Sequence, residues 1–321
     1  MNILLTGAFG NIGTSTLAEL VQRGHRVRCF DLKTKAGEKT AQRFADRVAV
    51  MWGDLRTPDA VAVAVKDQDA VIHTAAVIPK LSATGIQSED HPDWAYAVNV
   101  GGTRNVIEAM MTMPRTPRLI FTSSLHVYGP TQNVQPPRTA SDPVRPVEHY
   151  ARHKIECEKM IRESGLTWTI LRLAAALPVR LILDRGAFDV PLDNRIEYVH
   201  ARDVGIAIAN AAESDTVWGK TLLIGGGPRC QFYYRDLVSR VLDATGVGML
   251  PEEAFTREPY SVDWLDTTDS ERLLHYQRRT LDDYIHDVRE LMGDKIVWVR
   301  LFRPLVRYVL LKQSRYYHGT N

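Results

Sequence analysis

Tyr150 and Lys154 are the two residues whose types and spacing point most directly to chemistry. A separation of four residues places both side chains on the same face of an α-helix. A lysine cation a few ångströms away stabilises phenolate relative to phenol, so the pKa of Tyr150 is expected to lie below its reference value of about 10. A tyrosine adjusted in this way can give or take the proton of a secondary alcohol.

The same spacing occurs again at Tyr308 and Lys312, where the surrounding residues are apolar and no hydroxyl-bearing segment precedes the pair. We therefore interpret this second pair as accidental. The first pair follows residues 118–124, which have the pattern of a buried strand and end in hydroxyl side chains that include Thr122 and Ser124. It also opens an amphipathic helix pattern, so the strand and the helix are the elements expected to bring these groups together.

A glycine-rich loop joins the first strand pattern, residues 2–6, to the first helix pattern, residues 14–23. Glycines let the backbone turn sharply and approach a pyrophosphate, whose charge is met by the amides and the dipole of the helix N-terminus. The loop therefore predicts a dinucleotide site, and the alternative is a plain strand-to-helix turn. The residues predicted to contact the dinucleotide here are Gly7, Gly10, Asn11, Ile12 and Gly13.

Asp31 ends the second strand pattern, residues 25–30, where a carboxylate can accept hydrogen bonds from the hydroxyls of an adenosine ribose. A 2′-phosphate at that point would meet a like charge, so the sequence favours NAD over NADP. Two observations stand against this interpretation. A turn aspartate can simply end a strand, and Lys33 and Lys35 leave room for a phosphate.

Other strand ends supply further candidate contacts for the cofactor, because open parallel sheets bind ligands at the carboxyl ends of their strands. Asp54 could accept a hydrogen bond from the adenine amino group, and the small residues at 75 and 76 would let the cofactor lie close to the backbone. The alternative is that these small residues only pack against their neighbours. The candidates are Asp54, Leu55, Thr74, Ala75, Ala76, Asn99 and Thr122.

Strand patterns alternate with helix patterns along most of the chain, which indicates an α/β fold built on a Rossmann-type doubly wound parallel sheet. We predict a NAD-binding domain over residues 1–178, to which residues 199–225 return. Residues 179–198 and 226–293 are predicted to form a smaller C-terminal substrate lobe. The last 28 residues, 294–321, form a basic and apolar tail with six Lys or Arg and one acidic residue.

Composition excludes several classes of protein and site. A formal net charge of +2 without a long basic run argues against nucleic acid as a partner. Three cysteines without regular spacing argue against a disulfide framework and against a zinc site. His149 and His153 have the spacing of a helical metal pair, but no third ligand is near in sequence, so no metal is predicted. The chain starts directly in a strand pattern, which makes a cytoplasmic location the expectation.

The tail has an amphipathic pattern over residues 296–311 that predicts one interfacial helix and a peripheral membrane contact. Arg300, Arg303 and Arg307 share one face, and the large apolar residues lie elsewhere. The alternative is that the apolar side docks on the protein's own core or on a second subunit, with Pro304 bending the helix. A homodimer is the predicted oligomeric state.

Taken together, these residues resemble the extended short-chain dehydrogenase/reductase family, in its NAD-dependent epimerase/dehydratase group typified by UDP-galactose 4-epimerase. The similarity covers about residues 1–290, and it adds three features: Ser-Ser-x-x-Val-Tyr-Gly over 123–129, Arg172, and Tyr-Val-His-x-x-Asp over 198–203. The resemblance implies that Ser124 orients the substrate hydroxyl and that Tyr150 is the acid/base. It also implies that Lys154 both tunes Tyr150 and binds the nicotinamide ribose.

The resemblance also implies substrate contacts, and two positions depart from the family pattern. Nucleotide-sugar epimerases carry an asparagine where Ala175 stands and an arginine where Ile196 stands. A pyrophosphate would then have to depend on Arg195 or Arg257. The predicted substrate-binding residues are Ser124, His126, Ala175, Arg195 and Arg257.

The predicted function is that of an NAD-dependent oxidoreductase or epimerase that transfers hydride at a secondary hydroxyl of a sugar or nucleotide-sugar. One alternative is an NAD-dependent dehydrogenase or reductase of a small or apolar alcohol of the steroid or lipid type. Another is an NAD(H)-sensing binding protein without catalysis, since fold alone does not establish activity. The set of Ser124, Tyr150 and Lys154 favours an enzyme, because a sensor has no need of a tuned phenol.

Overall fold

A computed structural model of the protein describes residues 1–79, 87–179 and 185–318. The strands of these residues are β1 (Asn2–Thr6), β2 (Arg26–Asp31), β3 (Ala49–Trp52), β4 (Ala70–His73), β5 (Arg118–Ser124), β6 (Trp168–Leu173), β7 (Arg195–Glu197), β8 (Thr221–Ile224) and β9 (Gln231–Tyr233). Seven of them form one sheet in the order β3-β2-β1-β4-β5-β6-β8, and every neighbouring pair is parallel. This order winds outward in both directions from β1 and β4, so the predicted fold class is confirmed.

Helices cover both faces of the sheet and continue to the C-terminal end of the described chain. They are α1 (Asn11–Gln22), α2 (Lys35–Gln42), α3 (Pro58–Val65), α4 (Pro92–Tyr96), α5 (Gly102–Met111), α6 (His149–Glu163), α7 (Ala201–Glu213), α8 (Tyr234–Ala244), α9 (Thr268–Leu274), α10 (Leu281–Met292), α11 (Lys295–Leu301) and α12 (Arg303–Leu311). Among the residues that the structure describes, no helix has the length and hydropathy needed to cross a bilayer.

The core follows from the two-residue period of the strands, which sends alternate side chains to opposite faces of the sheet. In β1, Ile3 and Leu5 join a cluster with Leu17 of α1, whereas Leu4 lies in a second cluster with Val61 of α3. Strands that are buried on both faces read as continuous apolar runs, which is why the strand patterns were clear in the sequence.

Two differences from the predicted helices have local causes. The helix pattern over residues 92–111 is interrupted by a π-helical turn, Ala97–Gly101, which contains Asn99. The single helix expected over 296–311 is instead two helices, α11 and α12, which meet at Phe302. Pro304 lies in the first turn of α12, where its missing N–H costs least, and it could not continue α11. The prediction of one tail helix was therefore wrong.

A second, two-stranded sheet pairs β7 with β9 in antiparallel register. Strand β9 was not predicted, because a strand of three residues is too short to show a two-residue period. The predicted domain boundaries were based on the strand and helix patterns of the sequence, and they stay a prediction.

A buried ion pair joins helix α6 to the sheet. The Glu158 carboxylate accepts hydrogen bonds from Arg172 of β6, with Nε at 2.9 Å and Nη2 at 2.7 Å, and from the Ser123 hydroxyl of β5 at 2.6 Å. Arg172 also donates to the Tyr128 hydroxyl at 2.8 Å. Burial alone would raise the pKa of Glu158, but its bonds to Arg172, Ser123 and Arg162 hold that pKa below the ordinary value.

Close packing at Gly13 fixes where α1 begins. A Cβ atom at this position would lie 1.9 Å from the carbonyl oxygen of Gly7 and 2.8 Å from the carbonyl carbon of Ala8. Both of those atoms belong to the backbone, which cannot move aside without changing the turn. Gly13 therefore lets the helix sit directly on the loop that precedes it.

We expect Gly13→Ala to lower the free energy of unfolding by roughly 1–3 kcal/mol, because its methyl group would overlap backbone atoms. The matched control is Gly101→Ala, where a Cβ would meet nothing within 4 Å. Urea denaturation followed by circular dichroism measures both. Equal stabilities of the two variants would contradict the packing argument.

Glu158→Gln should lower the free energy of unfolding by about 3–5 kcal/mol at neutral pH, since it leaves the Arg172 cation buried without its counter-charge. The control is Glu163→Gln on the same helix, whose carboxylate is exposed and pairs only with Lys159 at 4.0 Å. Because the pKa of Glu158 is lowered on folding, the wild-type advantage should be present at neutral pH and shrink as the pH falls through the folded-state value. An advantage that persists unchanged in acid would rule this out.

Candidate active site

The loop between β1 and α1 forms a cradle of backbone groups at the edge of the sheet. Gly7 has a positive φ of 67°, and a Cβ there would lie 2.7 Å from the backbone of Ala75. Helix α1 starts after Gly10 without a side-chain cap and without an acidic residue in its first turn. Its amides and the positive end of its dipole therefore face an open cleft, which is what a pyrophosphate requires.

Asn11 and Ile12 support this cradle from behind. The Asn11 side-chain amide donates to the carbonyl oxygen of Ala176 at 3.0 Å, which ties the loop to the segment after β6. Ile12 is partly buried and packs against the main core. Both residues also line the cleft, so both are within reach of a ligand.

Asp31 lies at one end of the cleft, beside Gly10 and Leu55. Its carboxylate accepts from the backbone N–H of Phe9 at 2.9 Å and from that of Leu32 at 2.8 Å. Burial raises the pKa of Asp31, and the two amide bonds oppose that rise. The remaining lone pairs can accept from ribose hydroxyls, which keeps this aspartate suited to NAD.

Asp54 lines the same end of the cleft, but its carboxylate is already engaged. Arg56 donates to it through Nη2 at 2.6 Å and through Nε at 3.1 Å, and these bonds lower the pKa of Asp54. The guanidinium of Arg56 also lies over the ring of Trp94, 5.6 Å from its centroid. An adenine amino group at this point would share the carboxylate with Arg56.

The small residues Thr74, Ala75 and Ala76 line the cleft, and Asn99 lies behind them. Asn99 is buried, and it holds Val77 by both backbone groups: Oδ1 accepts from the N–H at 2.7 Å and Nδ2 donates to the carbonyl at 2.9 Å. Asn99 therefore positions the segment that faces the cofactor and does not itself line the cleft.

Ser124, Tyr150 and Lys154 converge in a second part of the cleft, of about 740 Å³, a volume suited to a small molecule. Ser124 ends β5, and the other two occupy the first turns of α6. The Ser124 hydroxyl lies near that of Tyr150 and favours its ionised form. Lys154 is buried, and its Nζ donates to the carbonyl oxygen of Thr122 at 2.7 Å while lying 4.6 Å from the centroid of the Phe121 ring.

The electrostatics of this group differ from the sequence-based expectation. Burial raises the pKa of Tyr150, and the nearby Ser124 hydroxyl only partly opposes that rise. Burial also lowers the pKa of Lys154 to about 8. The expected lowering of the Tyr150 pKa by Lys154 was therefore wrong for the protein alone, because the loss of phenolate hydration outweighs a cation that hydrogen-bonds to Thr122.

Two positioning residues escaped the sequence analysis. The Glu89 carboxylate accepts from the backbone N–H groups of His149 and Tyr150, each at 3.0 Å, which fixes the first turn of α6. Glu158 anchors the third turn of the helix to Arg172 of β6. A signal for Glu158 was present, since Tyr150, Lys154 and Glu158 follow one another at intervals of four. Glu89 is 61 positions from Tyr150, and no local pattern links them.

His126 and Ala175 lie in the substrate part of the cleft, as predicted. His126 shares a hydrogen bond of 2.5 Å between its Nδ1 and Oε2 of Glu148. Its ring meets those of Tyr150 and Tyr260 edge-on, with centroids 6.0 and 5.5 Å away. Tyr260 also lines the cleft, and nothing in its sequence context pointed to it.

The two arginines predicted to hold a pyrophosphate do not line this cleft. Arg195 pairs with Asp263, with Nε 2.7 Å from Oδ1, and its other donors reach backbone carbonyls of residues 131–134. Arg257 is exposed to solvent elsewhere. The arginines that line it among the described residues are Arg43 and Arg202. Arg202 pairs with Asp287 at 2.5 Å and belongs to the 198–203 segment.

The comparisons with known proteins agree with this geometry. A 3β-hydroxysteroid dehydrogenase/Δ5→4-isomerase of Mycobacterium tuberculosis is 33% identical over 132 residues, which are 41% of this chain and 34% of the relative. A UDP-glucose 4-epimerase of rice is 32% identical over 193 residues, 55% of this chain and 49% of the relative. The chain thus spans half or less of the length of these relatives.

Among solved structures, a dTDP-glucose 4,6-dehydratase double mutant from Streptomyces venezuelae with bound NAD is similar in fold. Its TM-score is 0.77 at 24% identity, and the alignment covers 93% of this chain and 98% of that one. The model of the NAD dependent epimerase/dehydratase family matches residues 3–177, more than half of the chain. The predicted family, which is NAD dependent, is thereby confirmed: the chain belongs to the NAD dependent epimerase/dehydratase family.

Proposed function

We propose that the protein catalyses NAD-dependent hydride transfer at a secondary carbinol carbon, with Tyr150 as the proton carrier. The observation that carries this proposal is the continuity of the cleft. Gly10 and Thr74 line both the part at Asp31 and the part that holds Tyr150. A dinucleotide on the glycine cradle would therefore extend towards Ser124, Tyr150 and Lys154.

The roles of the three side chains follow from their contacts. Ser124 and Tyr150 line the same part of the cleft, so a substrate hydroxyl that meets both is oriented before it reacts. Tyr150, in its phenolate form, takes the proton from the substrate oxygen and becomes the neutral phenol. The carbinol carbon becomes a carbonyl as it gives up hydride, which a bound NAD would accept.

Lys154 is the cation that stabilises Tyr150 when it gives up its own proton. Its Nζ lies 5.7 Å from the centroid of the Tyr150 ring and is held by Thr122. Since both side chains are buried, their interaction is screened by little water. Burial also keeps the pKa of Lys154 low enough for it to pass a proton at mildly alkaline pH.

Tyr150→Phe should reduce kcat by about 10²–10⁴-fold while leaving NAD binding nearly intact, because only the proton carrier is lost. The matched control is Tyr308→Phe, which removes a hydroxyl from the other Tyr-x-x-x-Lys pair, where Lys312 Nζ lies 4.5 Å from the ring centroid. Turnover and NAD fluorescence titration are measured for both. A Tyr150→Phe enzyme with near wild-type turnover would overturn the proposal and favour the NAD(H)-sensing alternative.

The first candidate substrate is a sugar or nucleotide-sugar, which the family membership supports. Against nucleotide linkage stand the absence of a side-chain donor at Ala175 and the engagement of Arg195 by Asp263. A second candidate, an apolar alcohol of the steroid or lipid type, is favoured by the lining beyond Tyr150. That lining is formed by residues that include Leu177, Val179, Tyr260 and Val262.

A thermal-shift screen with NAD present separates these candidates. UDP-sugars, free sugars and sterols are compared, and the expected result for the first candidate is a rise in Tm with a sugar compound. A rise with UDP-sugars alone means that Arg202 or another cation replaces the missing phosphate contacts. A rise with sterols alone rejects the sugar candidate. Tyr150→Phe serves as the binding-competent reference, since it keeps the shape of the cleft.

The predicted cytoplasmic location and homodimer stay predictions. The predicted peripheral membrane contact involves the C-terminal helices α11 and α12, which are separate from the cleft.

A further inference from the structure

The two C-terminal helices, α11 and α12, carry large apolar side chains that point to solvent. We call these residues the tail face: Val297, Trp298, Leu301, Phe302, Leu305, Tyr308 and Val309. Each of them is at least 50% exposed, and Leu301 reaches 66%. The rings of Trp298 and Phe302 stack on each other, with an interplanar angle of 10° and centroids 6.1 Å apart. A contiguous apolar surface of this kind marks a site of interaction.

The tail face is exposed although the same helices are firmly attached on their other side. Ile296, Val299 and Leu310 pack against the main core. Arg303 donates through Nε to the carbonyl oxygen of Val247 at 2.8 Å, and Arg307 donates to that of Met249 at 2.6 Å. The arginines therefore hold the helices to the protein, and the apolar residues opposite them are left for another partner.

The attachment continues beyond α12. The Ser314 hydroxyl donates to the carbonyl oxygen of Ala254 at 2.6 Å, and the Tyr316 hydroxyl donates to Asp189 at 2.9 Å. The tail face is thus part of a fixed surface and not the side of a detached helix. The alternative that the apolar side docks on the protein's own core is excluded for these seven residues.

The charges around the tail face decide between a membrane and a second copy of the chain. Of the six Lys or Arg in residues 294–321, Arg303 and Arg307 donate to backbone carbonyls and Arg315 pairs with Asp189 at 3.1 Å. Lys295 and Lys312 are exposed at the two ends of the helix pair. A groove of about 560 Å³ beside Tyr308 is lined by Arg307, Lys312 and His318, among others.

A two-fold contact between copies would place two sets of the exposed cations Lys295 and Lys312 in one interface, where like charges repel. A surface that carries negative charge complements these cations instead. Trp298 and Tyr308 have apolar bodies and polar tips, the combination that is enriched at the boundary between headgroups and acyl chains. We propose that the tail face docks the protein on the surface of an anionic lipid bilayer, with its apolar side chains inserted and its cations at the headgroups.

This inference goes beyond the proposed hydride transfer and does not depend on it. The carbonyls that anchor Arg303 and Arg307 belong to residues 247–249, in the stretch that leads to Tyr260 and Val262 in the cleft wall. The docked surface and the substrate part of the cleft therefore belong to one continuous piece of the chain.

The test is co-sedimentation of the full-length protein with vesicles of phosphatidylcholine containing about a third phosphatidylglycerol, and with vesicles of phosphatidylcholine alone. The variant is Leu301→Glu, in the centre of the tail face. The matched control is Val63→Glu on α3, because Val63 is 61% exposed, close to the 66% of Leu301. NAD titration of each protein verifies that the fold and the cofactor site are intact.

The wild type and Val63→Glu should bind the anionic vesicles, and Leu301→Glu should bind roughly tenfold or more weakly. Raised salt should weaken the binding, because part of it is electrostatic. Failure of the wild type to bind anionic vesicles, or equal binding of the two glutamate variants, overturns the proposal. So does self-association that Leu301→Glu abolishes without any vesicle binding, which would assign the tail face to a second copy. NAD binding that fails in the wild type would count against the proposed function alone.

Discussion

The position of helix α6 depends on one buried ion pair, Glu158 with Arg172. This pair joins the third turn of the helix to β6, and the hydrogen bond from Ser123 joins the same turn to β5. The same helix carries Tyr150 and Lys154, so the ion pair also sets the distance of these two residues from the end of β5. Charges buried in this way cost much desolvation, so the pair is better understood as a positioning device than as a source of stability.

A second constraint acts from the opposite end of the helix. Glu89 accepts from two of the N–H groups that α6 leaves free at its start, so a carboxylate caps the helix beside the Tyr150 phenol. Helix α6 is thus held at its first turn by Glu89 and at its third turn by Glu158, and neither carboxylate lines the cleft. These two contacts explain why Tyr150 is buried and still lies in a defined place beside the Lys154 cation.

Much of this was accessible from the sequence for identifiable reasons. The doubly wound sheet followed from apolar runs that alternate with helix patterns, and Ser124, Tyr150 and Lys154 followed from a strand end and a helical period. Asp31 and the glycine cradle were predicted because each belongs to a short continuous stretch of sequence at the end of a strand. Arg195 was misjudged because its partner, Asp263, is 68 positions away. The predicted lowering of the Tyr150 pKa was wrong because burial, which raises it, depends on the whole fold and cannot be read from the spacing of two residues.

The segment between Tyr128 and Arg145 has an energetic consequence for recognition. Its proline-rich chain is tied down at several points: Tyr128 donates to the carbonyl of Thr139, and Arg195 donates to the carbonyls of Thr131 and Val134. The backbone N–H of Arg138 also donates to the carbonyl of Trp264 at 2.7 Å. The segment adjoins the cleft at His126, whose carbonyl accepts from the N–H of Gly129 at 3.1 Å. Because this neighbour of the cleft is ordered before a ligand arrives, little conformational entropy is lost there on binding.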